Sequence, residues 1–189
     1  MTEDIQGLTI EGSSIILEEF QEKHLFDPTY FSWLRNPDVV SGINRIEYLM
    51  PLQFNKVEEY VRNLFISKND AFFAIIHKET GVFIGTLRLL GIDWRMRQAE
   101  VGIMIGHQDF IGKGLSKKAV SLAARYAFER LSLRRLCAST NETNMAMCRC
   151  FKSLGFHQEG VLRQHAMING KYTDRILFGL FPEEFVPDA

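Results

Sequence analysis

Two glycines separated by one lysine, Gly112-Lys113-Gly114, stand where an alternating apolar run gives way to a long amphipathic stretch. Glycines leave backbone amides unobstructed, and amides at the start of a helix, with the positive end of its dipole, favour a phosphate group. On this segment alone a plain strand-to-helix turn accounts for the glycines equally well, and a solvated helix face for Lys113 and Lys117. A second segment follows, from Asn144 to Phe156, ending Lys152-Ser153-Leu154-Gly155-Phe156. Ahead of both stands Glu100, opposite in parity to the apolar residues of its run. Its carboxylate could act as a base, or be an ordinary exposed or salt-bridged strand carboxylate.

Two familiar nucleotide loops can be excluded. A P-loop places four residues between its first glycine and a Gly-Lys-Ser/Thr. Here five residues separate Gly106 from Gly112, and Gly114 follows Lys113. A dinucleotide fingerprint needs a third glycine where this chain has Lys117, and a repeated parallel βαβ setting.

The elements that must position these residues can be read from periodicity. Ile15-Ile16-Leu17 reads as a strand, and Lys23 to Leu34 as helical material stopped by Pro37. A helix from Phe54 to Ile66 carries Val57, Tyr60, Val61 and Leu64 at helical spacing. Strands follow at Ala71–His77 and Val82–Leu90 around the turn Lys78-Glu79-Thr80-Gly81. From Gln98 to Ile105, Ala99, Val101, Ile103 and Ile105 share one face, and Glu100, Gly102 and Met104 the other. A helix from Leu115 to about Leu131, a short strand Arg135–Ser139 and a helix Met145–Leu154 come next. Asn169-Gly170 between Gly160–Ile168 and Lys171–Leu180 is a strong hairpin signal. This order predicts an α+β domain with a mostly antiparallel, mixed sheet flanked by helices.

Composition narrows the class. The chain has 189 residues, 46% of them apolar, and a net charge of −1 with both signs intermixed. One domain spanning 1–189 is expected, with no repeat or linker. No run reaches membrane-spanning length and no signal pattern opens the chain, so a cytoplasmic protein with no membrane association is expected. Nothing favours nucleic acid. Three cysteines, with Cys148 and Cys150 too close for a structural bridge, read as reduced thiols. The five histidines are scattered without zinc spacing, so no metal is expected.

The run Glu100-Val101-Gly102-Ile103-Met104-Ile105 followed by Gly112-Lys113-Gly114-Leu115 resembles the acetyl-CoA core of the GNAT N-acetyltransferases. Asn144, Phe151, Lys152, Gly155 and Phe156 resemble the next block of that family. The ending, Glu159-Gly160 through Asn169-Gly170-Lys171-Tyr172 to Asp174, is similar to the branch holding the RimJ and RimL ribosomal-protein acetyltransferases and the spermidine acetyltransferases. The resemblance implies a GNAT-like fold with a splayed central strand pair, Gln98–Ile105 parting from the strand after Arg135. Coenzyme A would enter the gap, its pantetheine against Ile103, Met104 and Ile105 and its pyrophosphate on amides from Ile111 to Lys117. Asn144 matches the asparagine that contacts the pantetheine arm, and Glu100 matches a family glutamate. The chain departs from the pattern at Ile111, where Gln or Arg is usual, and at Ser116, where Gly or Ala is usual. Phe151 stands where many relatives carry the tyrosine that protonates the departing thiolate.

The chemistry implied is acetyl transfer from acetyl-CoA to a primary amine, a protein N-terminus or a small molecule. A lysine-like amine, with pKa near ~10.4, must first lose a proton. Trp33 and Arg45 fall where the family builds its acceptor pocket, and Tyr172, on the terminal hairpin, is a third candidate, as a substrate contact, as a proton donor in place of position 151, or as a cross-strand packing partner. A rival acceptor is a nucleotide amino sugar, suggested by Trp33-Leu34-Arg35-Asn36-Pro37 and by Arg45 as a phosphate partner. A rival of another class is a non-catalytic acyl-CoA-binding module, suggested by Phe151. The expected partners are acetyl-CoA and an amine acceptor, and the expected state is a monomer or homodimer.

Overall fold

Alternation in which both faces of a strand are apolar calls for helices on both sides of a sheet, and the chain folds that way. The structure, a computed structural model, describes residues 7–40, 52–168 and 170–188. Eight strands form one sheet: β1 (Thr9–Glu11), β2 (Ile15–Glu19), β3 (Ala71–His77), β4 (Phe83–Asp93), β5 (Gln98–Ile105), β6 (Arg135–Asn141), β7 (His157–Ile168) and β8 (Lys171–Leu180). Their order is β1-β2-β3-β4-β5-β6-β8-β7. Every neighbouring pair is antiparallel except β5 and β6, which run parallel.

On one face Ile15, Leu17, Phe73, Ile75, Leu87, Leu89 and Val101 pack against helix α5 (Leu115–Glu129). Ala119, Ala123, Ala124 and Ala127 of α5 are fully buried, and side chains this small let the helix lie close on the strands. On the other face Phe72, Ala74 and Met104 meet Tyr30, Trp33, Leu34, Val57, Val61 and Leu64. These come from α2 (Pro28–Leu34) and α4 (Phe54–Phe65). Met104, on the nominally polar parity of its strand, is buried in this second core.

The helical material before Pro37 is divided differently from the sequence expectation. It forms α1 (Glu22–Leu25) and α2, broken at Asp27-Pro28, where the Asp27 side chain accepts from the Thr29 amide at 2.8 Å and Pro28 opens the next helix. Pro37 likewise opens the short α3 (Pro37–Val40) instead of only stopping a helix. Proline at a first helical position lacks only an amide that would be unpaired anyway. Strand β1 carries no long apolar signature and was not expected. The last hairpin closes with Ile168 opposite Lys171, as the Asn-Gly signal predicts.

The decisive feature is where β5 and β6 part. They pair only over Gln98↔Arg135, Ala99↔Leu136 and Glu100↔Cys137. Beyond that β5 continues to Ile105 paired with β4 alone, and β6 continues to Asn141 paired with β8 alone. The sheet therefore splits into a V with Glu100 at its vertex.

Candidate active site

The opening of the V is part of a cleft of about 950 Å³ that reaches both faces of the sheet. Backbone of Ile103, Met104 and Ile105 lines it along an edge that β6 no longer pairs. At the wide end lies the glycine loop, with Ile111, Gly112, Gly114, Leu115, Ser116 and Lys117 on the wall. Gly112 and Gly114 have φ of +77° and +75°, left-handed conformations that favour glycine, and a Cβ on either would meet nothing within 4 Å. Gly114 is the N-cap of the 15-residue α5 and gives it no side-chain cap, and the first residues of the helix, Leu115, Ser116 and Lys117, line the cleft. An unpaired strand edge leading to an uncapped helix start fits a long molecule with an amide-bearing arm at one end and phosphates at the other. Lys113 lies outside this lining and stacks over Phe110, its Nζ 5.2 Å from the ring centroid. Lys117 Nζ is 2.8 Å from the Asp188 carboxylate.

Asn144 lines the cleft and also caps α6 (Met145–Ser153), accepting from the Met147 amide at 3.2 Å. Phe151 borders the cleft but is only 2% exposed, packed 5.1 Å from Phe156 and 5.4 Å from Phe178 between ring centroids. Cys150 also lines the wall, and burial pushes its thiol up to about 11, while burial raises Cys148 too. Such thiols stay protonated near neutral pH and are poor nucleophiles.

At the vertex, Glu100 Oε1 accepts from Ser139 Oγ at 2.7 Å, and Ser139 Oγ accepts from Arg175 Nη2 at 2.5 Å. Arg175 Nη2 itself lies 3.8 Å from Glu100 Oε1. Further out, Arg88 is held by Asp70, with Nη2 to Oδ1 at 2.6 Å, and donates to Tyr60. Tyr30, Leu34, Asp38 and Val39 from α2 and α3 form the opposite wall.

The expected acceptor residues are not gathered there. Trp33 is 6% exposed, packs 4.9 Å from Phe83, and is absent from the cleft lining, because the helical turn that brings Tyr30 and Leu34 to the cleft points Trp33 into the core. Tyr172 is 70% exposed on the terminal hairpin and also lies off the cleft. Arg45 lies outside the described residues. Sequence reasoning missed Arg175, Ser139, Arg88, Asp70 and Tyr60. The sequence put Ser139 on a strand and Tyr60 on a helix but could not bring them to one site, since their meeting depends on which elements are neighbours.

Among the described residues no group of three or more His, Cys, Asp or Glu side chains is placed to hold a metal ion. No described helix is long and apolar enough to cross a membrane.

Comparison with known proteins agrees with this geometry. The family model of the acetyltransferase (GNAT) domain matches residues 14–157. An uncharacterized N-acetyltransferase p20 of Bacillus licheniformis is 29% identical over 150 residues, 79% of this chain and 84% of that protein. A spermidine N(1)-acetyltransferase of Escherichia coli (strain K12) is 29% identical over 133 residues, 66% of this chain and 71% of that protein. The crystal structure of spermidine N-acetyltransferase from Vibrio cholerae in complex with CoA and spermine shares the fold, with a TM-score of 0.80 at 21% identity, over 92% of this chain and 98% of that one. With its family pattern spanning most of the chain and its splayed strands intact, the protein belongs to the GNAT family and is an acetyl-CoA-dependent acyltransferase.

Proposed function

We propose that this protein, as one acetyltransferase domain, transfers acetyl directly from acetyl-CoA to the primary amine of a cationic aliphatic molecule, with Glu100 as the base. Acetyl-CoA is a substrate here, consumed in each turnover. The observation that carries the reading is Glu100 at the vertex of the V, on the floor of a cleft whose other arm ends in the glycine loop. Among the described residues, the two arginines near the acceptor end already have carboxylate partners, Arg88 with Asp70 and Arg175 with Glu100. Tyr30, Tyr60, Phe72 and Asp38 border the same space. Aromatic faces and carboxylates favour an ammonium-bearing chain over a phosphate. The relatives that act on spermidine, and the resemblance of Glu159 to Asp174 to the RimJ/RimL-like branch, support an amine acceptor in the same way.

In this reading amides between Gly112 and Ser116 hold the pyrophosphate, since those of Ile111 and Lys117, expected to join them, already donate to the Gln108 and Gly114 carbonyls; the free edge at 103–105 aligns the pantetheine, and a backbone amide at Ile103 or Met104 polarises the thioester carbonyl. Glu100 accepts the proton that the amine nitrogen sheds as the C–N bond forms. Thiol release from acetyl-CoA, measured with spermidine, an N-terminal peptide and a nucleotide amino sugar in parallel, tests the proposal. Spermidine-type amines should give the highest kcat/KM. Preference for the sugar nucleotide or the peptide would overturn the acceptor class. Tight acetyl-CoA binding with no turnover on any amine would overturn the reaction.

A further inference from the structure

We infer that Ser139 relays the proton from Glu100 to the departing thiolate, supplying the hydroxyl that position 151 lacks. The inference rests on the reading of Glu100 as base. Phe151 has no proton to give and is buried in the core, while Tyr172 stands away from the cleft. A proton donor has to come from elsewhere on the wall.

Position singles out Ser139. The last pair joining β5 to β6 is Glu100↔Cys137, so Ser139, two residues on, is the first β6 side chain beyond the vertex on the Glu100 face. The phosphate cradle lies at the opposite, wide end, because the loop at 111–117 follows the far end of β5 at Ile105. A molecule with its phosphates in that cradle and its arm along 103–105 brings its thioester end towards the vertex, where Ser139 and Glu100 meet.

The hydrogen bonds have the polarity a relay needs. A serine hydroxyl offers one proton and two lone pairs. In the resting arrangement its proton goes to Glu100 Oε1 at 2.7 Å, and one lone pair takes a proton from Arg175 Nη2 at 2.5 Å. Once Glu100 has been protonated it becomes the donor, using the second lone pair of Ser139. The hydroxyl proton is then released to point into the cleft. Arg175 keeps its charge throughout and steadies the oxygen as its proton leaves, which makes it a positioning residue.

The transfers balance. A neutral amine forms the C–N bond and its nitrogen gives one proton to Glu100. The C–S bond breaks and the sulfur takes the electron pair. Ser139 gives its proton to that sulfur and receives the Glu100 proton, so amide and free thiol form with both side chains restored.

Ser139→Ala, Ser139→Thr and Glu100→Gln should be compared with the parent protein for kcat, for acetyl-CoA Kd by calorimetry, and for the solvent deuterium effect on kcat. Ser139→Ala should lower kcat about 10- to 100-fold, at or below the lower end for a lost general acid because a thiolate leaves readily. Acetyl-CoA Kd should stay within about 2-fold, the solvent effect should shrink, and Ser139→Thr should recover most of the rate. An unchanged kcat in Ser139→Ala overturns the relay, as does a loss that Thr fails to recover or that leaves the solvent effect intact. If Glu100→Gln is impaired and Ser139→Ala is not, the base stands and the relay falls. If Glu100→Gln is fully active, both fall.

Discussion

Acid should loosen one wall of the cleft through His24. This side chain is 6% exposed, with Phe20 and Phe83 at ring centroid distances of 5.3 and 5.1 Å. Its Nδ1 accepts from the Gln21 amide at 2.9 Å, a bond that only the unprotonated nitrogen can make. Burial lowers its pKa from 6.5 to about 4, with Lys23 also lowering it and Glu18 and Asp27 opposing. Because the folded pKa is depressed, the unfolded chain binds the proton first, so stability is full above the unfolded pKa and falls as pH drops below it. A shift of this size corresponds to roughly 3 kcal/mol at full linkage, of which about 1.4 kcal/mol is lost between about pH 7.5 and 5.5. Tyr30, on the cleft wall, packs against Phe20 at 5.1 Å, so that wall feels the same change. Urea unfolding of the parent and of His24→Asn at the two pH values measures it. The asparagine can still accept from Gln21 but does not titrate, and its stability should fall less with acid by about 1.4 kcal/mol. Equal losses in the two proteins would show that His24 does not carry the linkage.

Two further outcomes follow from contacts around the cleft. Gly106→Ala should destabilise the fold by about 1–3 kcal/mol or more, because its Cβ would fall 2.1 Å from Trp33 Cδ2 at the end of β5; a shifted urea midpoint with altered tryptophan emission reports it, and an unchanged midpoint refutes the packing. Asp188→Asn should tighten acetyl-CoA binding about 2- to 5-fold at low salt, since it frees half-exposed Lys117 from its 2.8 Å partner, and the gain should vanish in high salt. Calorimetry at two salt concentrations measures this, and a salt-independent effect would point to another cause.

Much of the scaffold was legible because periodicity reports burial directly. The strand at Gln98–Ile105, the helix from Leu115, the helix from Met145 and the final hairpin lie where alternation, helical spacing and Asn-Gly predict them. The N-terminal helices were harder, because proline opens a helix as readily as it ends one and the difference lies in the capping at Asp27. Trp33 was misplaced for a related reason. Its segment does border the cleft, but a rotation of one residue along α2 separates Tyr30 and Leu34, on the cleft lining, from Trp33, off it.

What the sequence by itself determined was local: a glycine loop able to hold phosphate, the strand before it, and the family pattern joining them. These depend on backbone conformation and on residues close together in the chain. The tertiary structure decided the vertex. Glu100, Ser139 and Arg175 come from β5, β6 and β8, and they meet because β6 leaves β5 after three pairs while staying with β8. Hydrogen bonds between strands that far apart in sequence follow from sheet order and register, which no short-range pattern encodes.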